Sequence, residues 1–190
     1  MDLGNLLERV NSAFAEQSLE FVVIGGVAVA AWIPARLTDD LDIVVPARKR
    51  EGSRLKQALV AAGTRVTSLE MRLLFEKRFV LLKTSGPRLD VHVAATSHEL
   101  ASCRNAVLAR YRGVSIRVAS VEDLILYKLK AWRELDRADV LRLMYETRNL
   151  RKDYIESWIP SVTRSSGARI GDRWIECLKA LKTYKPEESR

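Results

Sequence analysis

Apolar positions recur along the chain with a period that changes from segment to segment. Leu3, Leu6, Leu7, Val10 and Phe14 fall three or four residues apart, which predicts an amphipathic helix over residues 2–17. Phe21-Val22-Val23-Ile24 is instead an unbroken, partly β-branched run closed by Gly25-Gly26, the pattern of a strand buried on both faces. A short helix is expected over residues 27–32, stopped by Pro34, and a polar connection over 35–39 leads into a second apolar strand at 41–45, ended by Pro46. Leu55, Ala58, Leu59 and Ala62 share one face of a helix expected over 48–62, with Gly63 as its stop.

From residue 64 to 94 the pattern reads as strands, three in meander order. Two of them, 78–82 and 88–93, are joined by the turn Ser85-Gly86-Pro87. A helix is expected over 98–109 and a last strand over 114–118. Ser120-Val121-Glu122-Asp123 reads as a capping box opening a long helix with Leu124, Ile125, Lys128, Trp132 and Leu135, broken near Asp136. Short helices are expected over 138–144, 154–159 and 173–181, the last two separated by a linker over 163–169, and residues 185–190 read as a frayed polar tail. Strands therefore stop before residue 120. The expected organisation is a mixed core over 1–119 and a helical region over 120–190 packed on it.

The 190 residues are 47% hydrophobic and 29% charged, which suits a globular chain with its own core and excludes disordered, collagen-like and disulfide-framed classes. The longest apolar stretch, 21–34, contains Gly25-Gly26 and is too short to span a bilayer, so no membrane partner is expected. No basic region precedes an apolar run at the N-terminus, and a cytoplasmic location follows as an expectation. Cys103 and Cys177 stand far apart without ligating neighbours and read as buried thiols. The formal charge of +8 is uneven. Residues 1–100 carry 13 Lys and Arg against 12 Asp and Glu, and residues 101–190 carry 19 against 12, which points to a polyanionic partner or to a solvated basic surface.

Asp39-Asp40-Leu41-Asp42 opens the strand Ile43-Val44-Val45, and alternation puts Asp40 and Asp42 on one side of it. Two carboxylates held together repel unless a cation or a shared proton intervenes, and Mg²⁺, a hard ion taking oxygen ligands, is the natural neutraliser. A solvated turn is the plainer alternative. Asp90 lies inside another apolar strand, Leu89-Asp90-Val91-His92-Val93, where an unpaired charge is costly. Either that strand neighbours 41–45, so that three carboxylates meet and can hold two divalent ions, or Asp90 pairs with Arg36 or Arg88. Gly25-Gly26 between a strand and a helix lets backbone N–H groups face an anion, or simply makes a tight turn. His92 shares the Asp90 face and reads as a hydrogen-bonded filler rather than a proton carrier; His98 carries no signal. Trp32, Trp132, Trp158 and Trp174 read as packing residues.

Taken together, Ile24-Gly25-Gly26-Val27-Ala28, then Arg36-x-Thr38-x-Asp40-x-Asp42, then Asp90 in a later strand, resemble the nucleotidyltransferase superfamily founded on DNA polymerase β. The likeness is greatest to its Gly-Gly branch, which includes the AbiEii-like toxins of bacterial toxin–antitoxin systems. It covers about residues 21–93, with a weaker echo at Lys128, Arg133, Asp136 and Asp139. The resemblance implies an α+β fold, a mixed β-sheet flanked by helices with a C-terminal helical region. It also implies Asp40, Asp42 and Asp90 as metal-binding catalytic carboxylates, with Asp90 helping to activate the attacking hydroxyl. Gly25, Gly26, Arg36, Thr38 and Lys128 would contact the nucleotide.

The activity so implied is Mg²⁺-dependent (with Mn²⁺ as the alternative) transfer of a nucleoside monophosphate from an NTP to a hydroxyl. The acceptor stays open among RNA, including a tRNA end, a protein and a small molecule, and a protein partner in a toxin–antitoxin pair is a further expectation. The rival readings are an inactive binding module of the same fold and an RNA-binding protein whose acids are structural.

Overall fold

The protein is described here by a computed structural model that covers residues 2–33 and 38–185. Two compact units divide the chain, Met1–Ala119 and Ser120–Arg190.

In the first unit, Asp2 caps helix α1 (Leu3–Glu16) by accepting from the Asn5 N–H at 2.9 Å, and the apolar stripe buries Leu6, Leu7, Val10 and Phe14. Strand β1 (Val22–Ile24) is buried throughout and runs straight into α2 (Gly25–Trp32), so both glycines belong to the first turn of the helix rather than to a turn before it. There follow β2 (Asp40–Val45), a 3-10 turn at Lys49–Glu51, α3 (Gly52–Ala61), α4 (Ser68–Lys77), β3 (Phe79–Leu82) and β4 (Arg88–Val93). Helix α5 (Ser97–Arg104) and the hairpin of β5 (Val107–Tyr111) with β6 (Val114–Val118) complete the unit.

The six strands form one mixed sheet in the order β3-β4-β2-β1-β6-β5. β1 is antiparallel to β2 and parallel to β6, while β2 and β4 are parallel. Helices α1 and α3 pack together, α2 packs on β1 and β2, and α4 packs on β3 and β4. This is the mixed, helix-flanked sheet that the sequence predicts.

Strict alternation gives β2 and β4 two unlike faces. Leu41, Ile43 and Val45 on one strand and Leu89, Val91 and Val93 on the other are fully buried, each large side chain contributing about 1.5–3 kcal/mol by leaving water. Asp40 and Asp42, with Arg88 and Asp90, take the opposite face at the entry end of both strands. Apolar burial on one face thus forces the charged set onto the other.

Three expectations fail here. Residues 68–77 are a helix, not the first strand of a meander. Thr67 accepts from the Glu70 N–H at 3.1 Å while the Glu70 carboxylate accepts from the Thr67 N–H at 2.7 Å, a capping box that overrides the alternating apolar pattern. The helix expected over 98–109 ends at Arg104, and 107–111 is an edge strand turned back by Arg112 and Gly113, both at positive φ, the geometry of a two-residue hairpin. The expected linker over 163–169 is mostly helix.

The second unit consists of α6 (Val121–Ala131), α7 (Glu134–Glu146), α8 (Lys152–Ser166) and α9 (Ile170–Leu181). Ser120 caps α6 by accepting from the Asp123 N–H. The helix breaks at Trp132, whose φ of 57° is left-handed, four residues before the expected position. Glu122 is buried against Arg151: burial pushes its carboxyl up, but the hydrogen bonds from Arg151 outweigh this and hold it below the usual carboxylate range. Among the described residues no helix is long and apolar enough to cross a membrane.

Candidate active site

Parallel pairing of β2 with β4 sets Asp42 directly beside Asp90 and Asp40 beside Arg88. The three expected carboxylates therefore stand on one face of two adjacent strands, next to the point where β1 ends and α2 begins, because Ile24 pairs with Asp42. Asp90 is 4% exposed; Asp40 and Asp42 are half-buried.

The two glycines make room for this set. Gly25 has φ of +66°, a left-handed conformation that costs other residues about 1–2 kcal/mol, and a Cβ there would overlap the Asp42 carboxylate, 2.7 Å from its carbon. A Cβ on Gly26 would stand 2.7 Å from Thr38 Oγ1. That hydroxyl donates to Asp40 Oδ1 at 2.8 Å. Each glycine thus seats one element of the acidic loop: Gly25 admits Asp42, and Gly26 admits the threonine that orients Asp40. A serine at position 26 would collide with Thr38 as the chain stands.

Arg88 links the carboxylates. Its Nε donates to Asp90 Oδ1 at 2.5 Å and its Nη2 to Asp90 Oδ2 at 2.9 Å, while Nη2 also reaches Asp40 Oδ2 at 3.0 Å. The guanidinium is raised above its ordinary pKa chiefly by the hydrogen bond to Asp90. Of the partners weighed for Asp90 from the sequence, Arg88 pairs with it. Arg36 lies outside the described residues.

A cation already sits between two of the three acids, and it belongs to the chain. Carboxylate oxygens with no softer donor beside them suit a hard divalent ion, and the Asp42 carboxylate fills the space that a side chain at position 25 would take. The donor set fits such an ion in chemistry. Among the described residues no three His, Cys, Asp or Glu side chains converge to hold a metal as they stand; Arg88 spans Asp40 and Asp90 instead.

His92 continues the same face of β4 and lies against the Phe79 ring, centroids 4.5 Å apart. Lys128 belongs to the second unit, buried between Asp136 Oδ1 at 3.1 Å and Asp139 Oδ2 at 2.7 Å. The eleven-residue spacing does bring Lys128 to Asp139, but across a broken helix. Trp174 is a buried packing residue whose indole N–H donates to Glu156, whereas Trp132 is stacked by Arg137 and Arg173. Cys103 and Cys177 are free, buried thiols; burial pushes them up to about 12 and about 11.

The fold is shared with known structures. The solution structure of the antibiotic-resistance factor ANT(2'')-Ia covers 96% of this chain and 94% of its own, with a TM-score of 0.56 at 19% identity. The lincosamide antibiotic adenylyltransferase LnuA, solved with lincomycin bound, covers 75% and 96%, with a TM-score of 0.51 at 19% identity. No curated protein matches the chain. The sequence model of the family described as the nucleotidyl transferase AbiEii toxin of type IV toxin–antitoxin systems matches residues 5–155, spanning the glycines, all three carboxylates and the Lys128 region. The chain, a nucleotidyltransferase by this match, belongs to the AbiEii family.

Proposed function

We propose that the enzyme transfers a nucleoside monophosphate from an NTP to an acceptor hydroxyl at the face formed by Asp40, Asp42 and Asp90. The observation that carries this reading is the register: Asp42 and Asp90 are direct neighbours on parallel strands, with Asp40 two residues earlier on the same face, beside a helix start that has no side chains. Nucleotidyltransferases of this kind use divalent metals, and we assign the ligating role to these three acids, with Mg²⁺ as the ion and Mn²⁺ as the substitute. A bound divalent ion would supply charge neutralisation on the phosphates and Lewis acidity at the reacting oxygens.

The chain's own groups account for the rest. Backbone N–H groups at Gly25 and Gly26, at the positive end of α2, receive the triphosphate, with Arg36 as a further cation. Thr38 holds Asp40 in one orientation. Asp90 accepts the proton of the acceptor hydroxyl as its oxygen bonds to the α-phosphorus; the bond from the α-phosphorus to the bridging oxygen breaks and pyrophosphate departs with that electron pair. Arg88 must leave Asp90 for this to occur. Lys128 is assigned to bracing α6 against α7 rather than to phosphate. The reaction needs an NTP pool, which supports action in the cytoplasm, and membership of a toxin–antitoxin family supports an antitoxin protein as partner.

Incubation with each α-labelled NTP, Mg²⁺ and total cellular RNA or lysate tests the reading. Label joined to a cellular acceptor, with pyrophosphate released, is the expected result. Absence of transfer from all four NTPs overturns it.

A further inference from the structure

Strand β5 is the last in the sheet order and pairs with β6 alone, in an unbroken register from Val107↔Val118 to Tyr111↔Val114. Tyr111 and Val114 flank the two-residue turn at Arg112 and Gly113, so they exchange both backbone hydrogen bonds of a narrow pair. Alternation gives Ala109 and Val107 the same pairing and turns the N–H and C=O of Leu108 and Arg110 outward, away from β6. Among the described residues no backbone group meets them there. Edge strands are commonly blunted by proline, by a bulge or by an inward-pointing charge. β5 has none of these, and Leu108 on its outward row is 76% exposed.

What the edge does carry is charge of one sign. Arg110 and Arg112 are exposed and, among the described residues, form no ion pair; Arg112 lies over the Tyr111 ring, 5.6 Å from its centroid. On β6, by contrast, Arg117 is already engaged, with Glu20 at 3.4 Å and the Cys103 carbonyl at 2.9 Å. A second copy laid antiparallel on this edge would bring its own two arginines against these, and like charges on facing strands destabilise the pair. An acidic strand meets no such penalty. An Asp or Glu opposite Arg110 pairs with its guanidinium, while Leu108 and Arg110 each donate one backbone hydrogen bond and accept another.

We propose that the outer edge of β5 takes up an extended acidic segment of a partner protein as a further antiparallel strand, held by the backbone of Leu108 and Arg110 and selected for negative charge by Arg110 and Arg112. The edge lies at the opposite end of the sheet from β3 and β4, so this binding needs neither NTP nor metal and is independent of nucleotidyl transfer.

The test is a titration of the nitrogen-15-labelled protein, read from its backbone amide shifts, with a seven-residue peptide that has Glu at every second position and Val or Thr between. Shifts should centre on residues 107–111 and be largest at Leu108 and Arg110. Methylating the backbone nitrogens of the peptide's Glu residues, which face β5 in this pairing, removes two donors and should weaken binding about 5- to 150-fold, the net worth of two hydrogen bonds. Methylating the Val nitrogens, which face away, should leave the affinity unchanged. The double variant R110E/R112E should lose the acidic peptide and bind its Lys counterpart instead, while Asp42→Asn should bind the acidic peptide as the wild type does. Unmoved β5 amides at about 1 mM peptide overturn the proposal, as does equal affinity for the Glu-methylated peptide. A β5 shift produced by protein concentration alone would assign the edge to a second copy and overturn it as well.

Discussion

Replacing Arg88 by Met keeps the aliphatic stem and removes every guanidinium donor. Asp90 then loses its bonds from Nε and Nη2, and Asp40 loses its bond from Nη2. Leaving a buried charge without its partner costs about 3–5 kcal/mol where both groups are fully enclosed. Here the Arg88 side chain is 46% exposed, so water reaches the vacated space, and about 2 kcal/mol is the appropriate scale. For a chain of this length that lowers Tm by about 4–8 °C.

Magnesium should then stabilise the variant more than the wild type. In the wild type the ion competes with a tethered cation for Asp40 and Asp90; in the variant it does not. Calorimetric melts at pH 7 and constant ionic strength, with and without about 10 mM MgCl₂, should therefore show a larger upward shift in Arg88→Met than in the wild type. A Tm unchanged by the substitution, or equal magnesium shifts in the two proteins, would refute the reasoning that Arg88 stands where a metal binds.

The glycines of α2 and the buried thiols give two further tests. Gly25→Ala combines the left-handed strain of about 1–2 kcal/mol with an overlap on Asp42, so its melting point should fall by several degrees and nucleotidyl transfer should drop by at least tenfold; Gly26→Ala, without the strain, should lower Tm less. The thiols Cys103 and Cys177 are held protonated up to about 12 and about 11, above an ordinary value of 9.0, so stability is fully present below pH 9 and declines as pH rises through that window. Melts between pH 8 and 11 should show a shallower decline for Cys103→Ala, and both thiols should react slowly with a disulfide reagent in the native protein at pH 8.

The sheet and the acidic face were readable because β2 and β4 alternate strictly and each breaks its apolar run only on one side, at Asp40 and Asp42 and at Arg88 and Asp90. Their adjacency was not. Register depends on which strands pair, and an isolated strand pattern leaves Asp90 equally free to meet Asp42 or a lone arginine. The structure gives it both neighbours. Helix α4 escaped because Leu69, Met71, Leu73 and Phe75 alternate like a strand, while the Thr67–Glu70 capping box that decides the matter is a local signal of only two residues. β5 escaped because an edge strand needs no continuous apolar face: Leu108 is 76% exposed. The seating of Thr38 against Gly26 is a tertiary approach with no trace in spacing, although the small residue at 26 hints that something must come close.

Label transfer from α-labelled NTP by the wild type and by Asp42→Asn, under identical Mg²⁺ and acceptor conditions, decides whether the acidic face is the reaction centre. The variant removes one charge from the face while keeping the side-chain size. Transfer by the wild type and a loss of several powers of ten in the variant, with an unchanged far-ultraviolet circular dichroism spectrum, are expected. Equal turnover by the two proteins would contradict it.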